Sequence, residues 1–161
     1  MVQHLYLTAE LNNVTKLKPQ DSTAQPYEYT FKIQCTKCRE THENPVTVNL
    51  YEKHDIEGSR GEASYVGACF FCKSKSNINI FLPKHYEGYL LENNNKEVKM
   101  LEIDSRGYDL VEFIPDGPFQ CVGADSNTRF SDFTLDGGEW YDYDDAAGEE
   151  TSITDVKWVI K

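Results

Sequence analysis

No stretch of this 161-residue sequence approaches the ~18 consecutive apolar residues that carry a helix across a bilayer. Met1-Val2-Gln3-His4-Leu5 has neither the basic n-region nor the apolar h-region of a secretory signal. The expectation is a cytoplasmic chain with reduced thiols, so paired cysteines point to metal or redox chemistry before disulfides. Positive charge is scarce as well: 16 Lys and Arg stand against 27 Asp and Glu, a net charge of −11. Nucleic acids and anionic membranes both require a basic face, and neither is expected as a partner. A 3.6-residue apolar period is absent, which argues against amphipathic helices. Also missing are a catalytic triad, a P-loop, and a metal motif that leaves a coordination position open, so an enzymatic function finds no support.

What the sequence does have is a matched pair of knuckles. Cys35-Thr-Lys-Cys38 is followed thirty residues later by Cys69-Phe-Phe-Cys72. Each C-x-x-C lets a short turn aim two sulfurs at one ion, and two of them supply four thiolates, a tetrahedral zinc site. A thioredoxin-like motif would need one pair opening a helix in a βαβ unit. Here Cys38 runs into Arg39-Glu-Thr-His42-Glu-Asn-Pro45, with no apolar face and an early proline. Iron–sulfur clusters also accept four thiolates, and zinc is preferred over iron only because it is commoner at such sites. Four protein ligands leave no place for an activated water, so the zinc, one ion per chain, reads as structural. His42 and His54 are nearby in sequence and read as surface-loop residues. The segment 35–72 carries four cations against six carboxylates, so it does not rescue a nucleic-acid role.

The rest of the chain reads as short strands between turn signals. His4–Leu11, Val14–Leu17, Tyr27–Gln34, Val46–Leu50, Ala63–Ala68, Ile78–Leu82, Val98–Ile103, Leu110–Ile114 and Val156–Ile160 carry apolar alternation or branched residues. The predicted fold is an all-β sandwich of antiparallel strands with an inserted zinc-ribbon-like segment. At this length one domain over 1–161 is expected, large enough to bury about 70% of its unfolded surface. Leu11–Pro19 and Gly107–Pro115 share a bend, an alternating strand and a closing proline. An internal duplication, with halves about 1–90 and 91–161, and chance similarity are both open readings. Trp140-Tyr-Asp-Tyr-Asp-Asp145 with Glu149 and Glu150 reads first as a solvated acidic loop, and alternatively as a surface for a basic protein partner. Cys121, unpaired, reads as a small buried apolar residue.

These residues resemble one known family. Gly58-Ser-Arg-Gly-Glu-Ala-Ser-Tyr-Val66 leading to Cys69-x-x-Cys72, the earlier Cys35-x-x-Cys38, Arg106-Gly107…Phe113-x-Pro115, and Phe130-Ser-Asp…Trp140-x-x-Tyr143-Asp144 are similar to the eukaryotic CXXC-motif-containing zinc-binding proteins. The resemblance covers essentially the whole chain. It implies a small intracellular β-sandwich protein with one zinc on Cys35, Cys38, Cys69 and Cys72 and no established enzymatic activity. Departures are Ser105, where a cysteine often precedes the Arg-Gly, the extra Cys121, and the loop Lys84–Lys96. Two functions follow as expectations: a non-enzymatic protein-interaction module, monomeric and zinc-stabilised, or metal handling (zinc or copper transfer) and thiol redox chemistry through the same cysteines.

Overall fold

The alternation that dominates the sequence can bury one face of each strand and wet the other, which only antiparallel sheets around a shared core satisfy. A computed structural model describes residues 1–161 and contains no α-helix. Its strands are β1 (Val2–Asn12), β2 (Val14–Pro19), β3 (Tyr29–Cys35), β4 (Val46–Val48), β5 (His54–Asp55), β6 (Glu62–Ala63) and β7 (Tyr65–Ala68). They continue as β8 (Lys75–Phe81), β9 (Val98–Arg106), β10 (Tyr108–Ile114), β11 (Phe119–Gly123), β12 (Arg129–Phe133), β13 (Trp140–Asp144) and β14 (Glu149–Ile160). A six-stranded antiparallel sheet runs in the order β13-β14-β1-β9-β8-β7. Two three-stranded sheets, β10-β3-β4 and β12-β11-β2, and a β5-β6 ribbon complete the fold.

In β1, Leu5, Leu7, Ala9 and Leu11 are all buried, as a period of two requires. They share one apolar cluster with Phe31 and Ile33 of β3, Phe113 of β10 and Phe119 of β11. Trp158 of β14 touches a ring from each small sheet, with centroids 4.7 Å from Phe113 and 5.9 Å from Phe119. The core therefore lies between the large sheet and the two small ones.

The chain crosses from large sheet to small sheet at two bends. Asn13 (φ 59°) turns β1 into β2, and Gly107 (φ 86°) turns β9 into β10. A Cβ at Gly107 would lie 2.9 Å from the Lys75 carbonyl, so glycine is required there by both conformation and space. The strand order is the same read from either end once β1 is exchanged with β9, β14 with β8 and β13 with β7. The small sheets exchange likewise, β2 with β10, β11 with β3, and β12 with β4. Hydrogen bonds obey the same rule: the Thr36 amide donates to the Gly107 carbonyl, and the Ala124 amide donates to the Asn13 carbonyl.

The loop 84–96 is fastened by one side chain. Tyr89 is fully buried, and its hydroxyl lies within 3.2 Å of the Ala9 amide, the Ala9 carbonyl, and the carbonyls of Asn93 and Lys96. The neighbouring β1–β14 ladder is irregular between Thr8 and Glu10, so Ala9 needs partners from elsewhere. Tyr89→Phe should cost roughly 1–3 kcal/mol, the penalty for orphaned buried polar groups. Chemical denaturation should show it as a lower midpoint with an unchanged slope, and an unchanged midpoint would reject this role.

Candidate metal centre

β3 delivers Cys35 at its last residue, and the β7–β8 hairpin turns through Cys69–Cys72. The two knuckles make the same turn. The Arg39 and Lys73 amides donate to the Cys35 and Cys69 carbonyls, and the Cys35 and Cys69 amides donate to the Glu40 and Ser74 carbonyls. Each turn closes on a left-handed residue, Arg39 (φ 66°) and Lys73 (φ 64°). Amides of Lys37 and Phe71 point at Cys35 Sγ and Cys69 Sγ from 3.4 Å, a polar cradle that favours thiolates.

All four sulfurs lie within 4.8 Å of one another. Cys35 Sγ is 3.7 Å from Cys72 Sγ, and Cys38 Sγ is 3.7 Å from Cys69 Sγ. Four Zn–S bonds of about 2.3 Å in a tetrahedron place sulfurs about 3.8 Å apart, so the cluster fits one such ion. Without metal the crowded thiols divide. Ser74, by hydroxyl and amide, holds Cys72 down to about 6. Cys38 rises to about 12: the Glu40 amide favours its thiolate, but desolvation and proton sharing with Cys69 outweigh it. Cys35 and Cys69 are buried, while Cys72 is exposed.

His42, read from sequence as a surface-loop residue, is a correction. Its Nε2 lies 3.4 Å from Cys69 Sγ, and its ring stands edge-on to Phe71 and Tyr108 at 5.6 and 5.4 Å. The signal was its place four residues after Cys38, where a strand-like return bonds its amide to the Ile33 carbonyl. His54 stays exposed on β5, 3.9 Å from Glu52. Cys121 is buried apart from the cluster, and burial pushes its thiol up to about 12, with a smaller contribution from Asp142. Ser105 is buried too, its hydroxyl donating to the Tyr108 carbonyl at 2.8 Å.

A second pair of knuckles occupies the matched place in the other half. Gly123–Asn127 follows β11 as Cys35–Arg39 follows β3, and Asp144–Gly148 joins β13 to β14 as Cys69–Lys73 joins β7 to β8. The Asn127 and Gly148 amides donate to the Gly123 and Asp144 carbonyls, and Asn127 and Gly148 have the same positive φ as Arg39 and Lys73. Gly123, Ser126, Asp144 and Ala147 therefore stand where the four cysteines stand. Trp140–Asp144 is a strand, not the acidic loop read from sequence, and Asp144 is only 1% exposed. Its carboxylate accepts from the Ser126 hydroxyl, from Thr128 Oγ1 at 2.9 Å, and from the Ala146 and Ala147 amides at 3.2 Å. Donation from Ser126 leads the groups that hold its carboxyl below the usual range, against the effect of burial. One hydrogen-bonded carboxylate does here what a metal could do opposite.

Comparison with known proteins places these features among relatives. The family model described as CXXC motif containing zinc binding protein, eukaryotic, matches residues 4–161. A UPF0587 protein of Schizosaccharomyces pombe is 41% identical, covering 97% of this chain and 95% of its own length. The CXXC motif containing zinc binding protein of Bos taurus is 34% identical, over 94% of this chain and 92% of its own. Among solved structures, the crystal structure of C1orf123 superposes with a TM-score of 0.89 at 31% identity, covering 100% of this chain and 99% of the other. A hypothetical protein from Plasmodium falciparum shares the fold, with a TM-score of 0.88 at 22% identity over 100% and 99% of the two chains. No helix is long and apolar enough to cross a membrane.

Proposed function

The chain belongs to the eukaryotic CXXC motif containing zinc binding proteins, and on that footing we propose a non-enzymatic, cytoplasmic, monomeric protein that holds one structural zinc on Cys35, Cys38, Cys69 and Cys72. The observation that carries this reading is the closed set of four sulfurs, two pairs of them 3.7 Å apart. A zinc filled by four thiolates has no position for water or substrate, so its contribution is to fold. The same reading takes residues 1–161 as one domain built of two related halves. Native mass spectrometry of protein purified under reducing conditions should find one zinc per chain, and Cys69→Ser should lose most of it. A metal-free wild type with reactive thiols at all four positions would sink the proposal.

The task such a scaffold serves is interaction with another protein. β13 is an outer strand of the large sheet, with Tyr141 64% and Tyr143 50% exposed beside the exposed Asp142. Rings supply apolar area and carboxylates steer a basic partner. Asp142→Asn with Asp145→Asn should leave zinc and fold intact while slowing association with a captured cytosolic partner. An unchanged association rate would move the surface elsewhere. The exposure of Cys72 favours the second reading, zinc or copper transfer, because an acceptor could reach that sulfur first. Release to a chelator decides between them: a structural zinc leaves slowly and with unfolding, a transferred one leaves from the native state.

A further inference from the structure

The outer face of the β12-β11-β2 sheet carries a groove of about 490 Å³. Lys16, Lys18 and Arg129 line it together with Gln20, Gln120 and Phe130, and no carboxylate lines it. In a chain of net charge −11, three cations in one groove run against the composition. None of the three has a carboxylate within 4.0 Å, as holds for every Lys and Arg of the chain but Arg39, Lys75 and Lys161. Asp132 stands close by, with one oxygen already held by Gln20 Nε2 at 2.8 Å.

The other half of the molecule is an internal control. Both β2 and β10 carry one extra residue against their neighbours, β2 between its partners Gln120 and Val122, β10 between Leu110 and Glu112. Past that bulge, Glu112 faces Lys32 across β10 and β3, a register of opposite charges. At the matched place Lys18 takes the position of Glu112 and faces Gln120, which takes that of Lys32. A cation thus stands where the other half has a carboxylate, and its cross-strand partner is neutral. Arg129, opposite Val122, takes the position of Thr41, opposite Gln34. At the bulge Lys16 adopts φ 55°, a backbone conformation uncommon for any residue with a Cβ, and lies exposed on the wall of the groove. Bulges of this kind re-aim side chains next to binding sites.

We propose that this groove binds a small anion of the phosphate-ester class, its phosphate held by Lys16, Lys18 and Arg129. Arg129 offers the planar fork that matches a phosphate, and the two lysines supply point charges. Gln120 adds a neutral donor, Gln20 being held by Asp132, and the half-buried Val122 with the edge of Phe130 accepts an apolar portion. The acidic remainder of the protein does not forbid this. Exposed charges beyond about 8 Å are screened at physiological ionic strength, so the three local cations govern the groove.

The test is an amide NMR titration of the zinc-loaded full chain with inorganic pyrophosphate, then glycerol phosphate, at constant ionic strength. Saturable shifts should gather on Lys16–Gln20, Gln120–Val122 and 129–131. A Lys16→Gln, Lys18→Gln, Arg129→Gln variant should weaken binding roughly tenfold or more, with zinc content and the remaining spectrum unchanged. Lys32→Gln, on the matched face, should bind as the wild type does. Saturation by pyrophosphate alone would overturn the ester assignment. Shifts spread along the chain without saturation, or binding retained by the triple variant, would overturn the site.

Discussion

Stripping the metal from the zinc-loaded protein should loosen two sheets at one end of the molecule while leaving the other end folded. Knuckle one ends a strand of the β10-β3-β4 sheet, and knuckle two closes the outermost hairpin of the large sheet. The four sulfurs join these two layers, alongside the packing of His42 on Phe71 and of Tyr65 on Tyr108. Without metal, four sulfurs crowd into one small volume with little beyond the Lys37 and Phe71 amides, His42 and Ser74 to satisfy them. Structural zinc contributes on the order of 10–16 kcal/mol in small peptides, comparable to the ~5–15 kcal/mol net stability of a domain. The apolar cluster is continuous through the fold, and its members on β1, β2, β11 and β14, strands that carry no cysteine ligand, persist. We expect Tm to fall on the order of 20 °C. Hydrogen exchange should lose protection across 35–42, 65–78 and the Gly107 bend, and retain it in β14 and the adjoining face of β1. Uniform loss along the chain would make the site a global linchpin, and no loss anywhere would deny it a structural role.

Asp144 should prove the counterpart at the other end. Asp144→Ala removes the acceptor of four hydrogen bonds and orphans the Ala146 and Ala147 amides, with an expected fall in Tm on the order of 10 °C. Asp144→Asn keeps the shape but offers donors where acceptors are needed, and should recover only part of the loss. The carboxyl is held below its unfolded value, so its contribution is complete above about pH 5 and is lost as pH falls through the folded value. Acid titration of Tm should therefore be shallower in Asp144→Asn than in the wild type; equal slopes would reject the assignment. A Gly123→Cys, Ser126→Cys, Asp144→Cys, Ala147→Cys variant should bind a second zinc. Both turns already have the knuckle conformation, and a Cβ on Gly123 would run into the side chains of Asp144 and Ser126. Native mass of that variant with only one zinc would show the resemblance to be of backbone alone.

The longer alternating strands and the four clustered cysteines could be read from sequence because each rests on a local rule, whereas β11 and β12, five residues each with little alternation, could not. For His42 only its place four residues after Cys38 is local, and its bond to Cys69 depends on a return beside Ile33 that this spacing does not specify. The acidic stretch misled because its carboxylates look alike in sequence. Asp142 and Asp145 are exposed, while Asp144 alone points inward to Ser126 and Thr128. Aligning the halves by their closing prolines, Pro19 and Pro115, sets them two residues out of structural step. The equivalent positions are Asn13 with Gly107 and Lys18 with Glu112, related through hydrogen bonds to other strands. The basic groove also escaped the sequence reading, because Lys16, Lys18 and Arg129 are brought together only by β11.

The exchange of strands between the halves also sets a clock on synthesis. β1 lies between β9 and β14, pairing Val2 with Asp104 and Leu5 with Ile160. β2 in turn waits for β11, pairing Pro19 with Phe119. During synthesis β1 thus has no partner until roughly a hundred residues follow it, and lacks its second partner until β14 is made. At ~5–20 residues/s that wait is roughly 10–30 s. For that time an apolar strand with Leu5, Leu7 and Leu11 stands unpaired, and folding dominated by such distant pairings is intrinsically slow. The nascent chain, rather than the finished protein, is the form with most need of a chaperone.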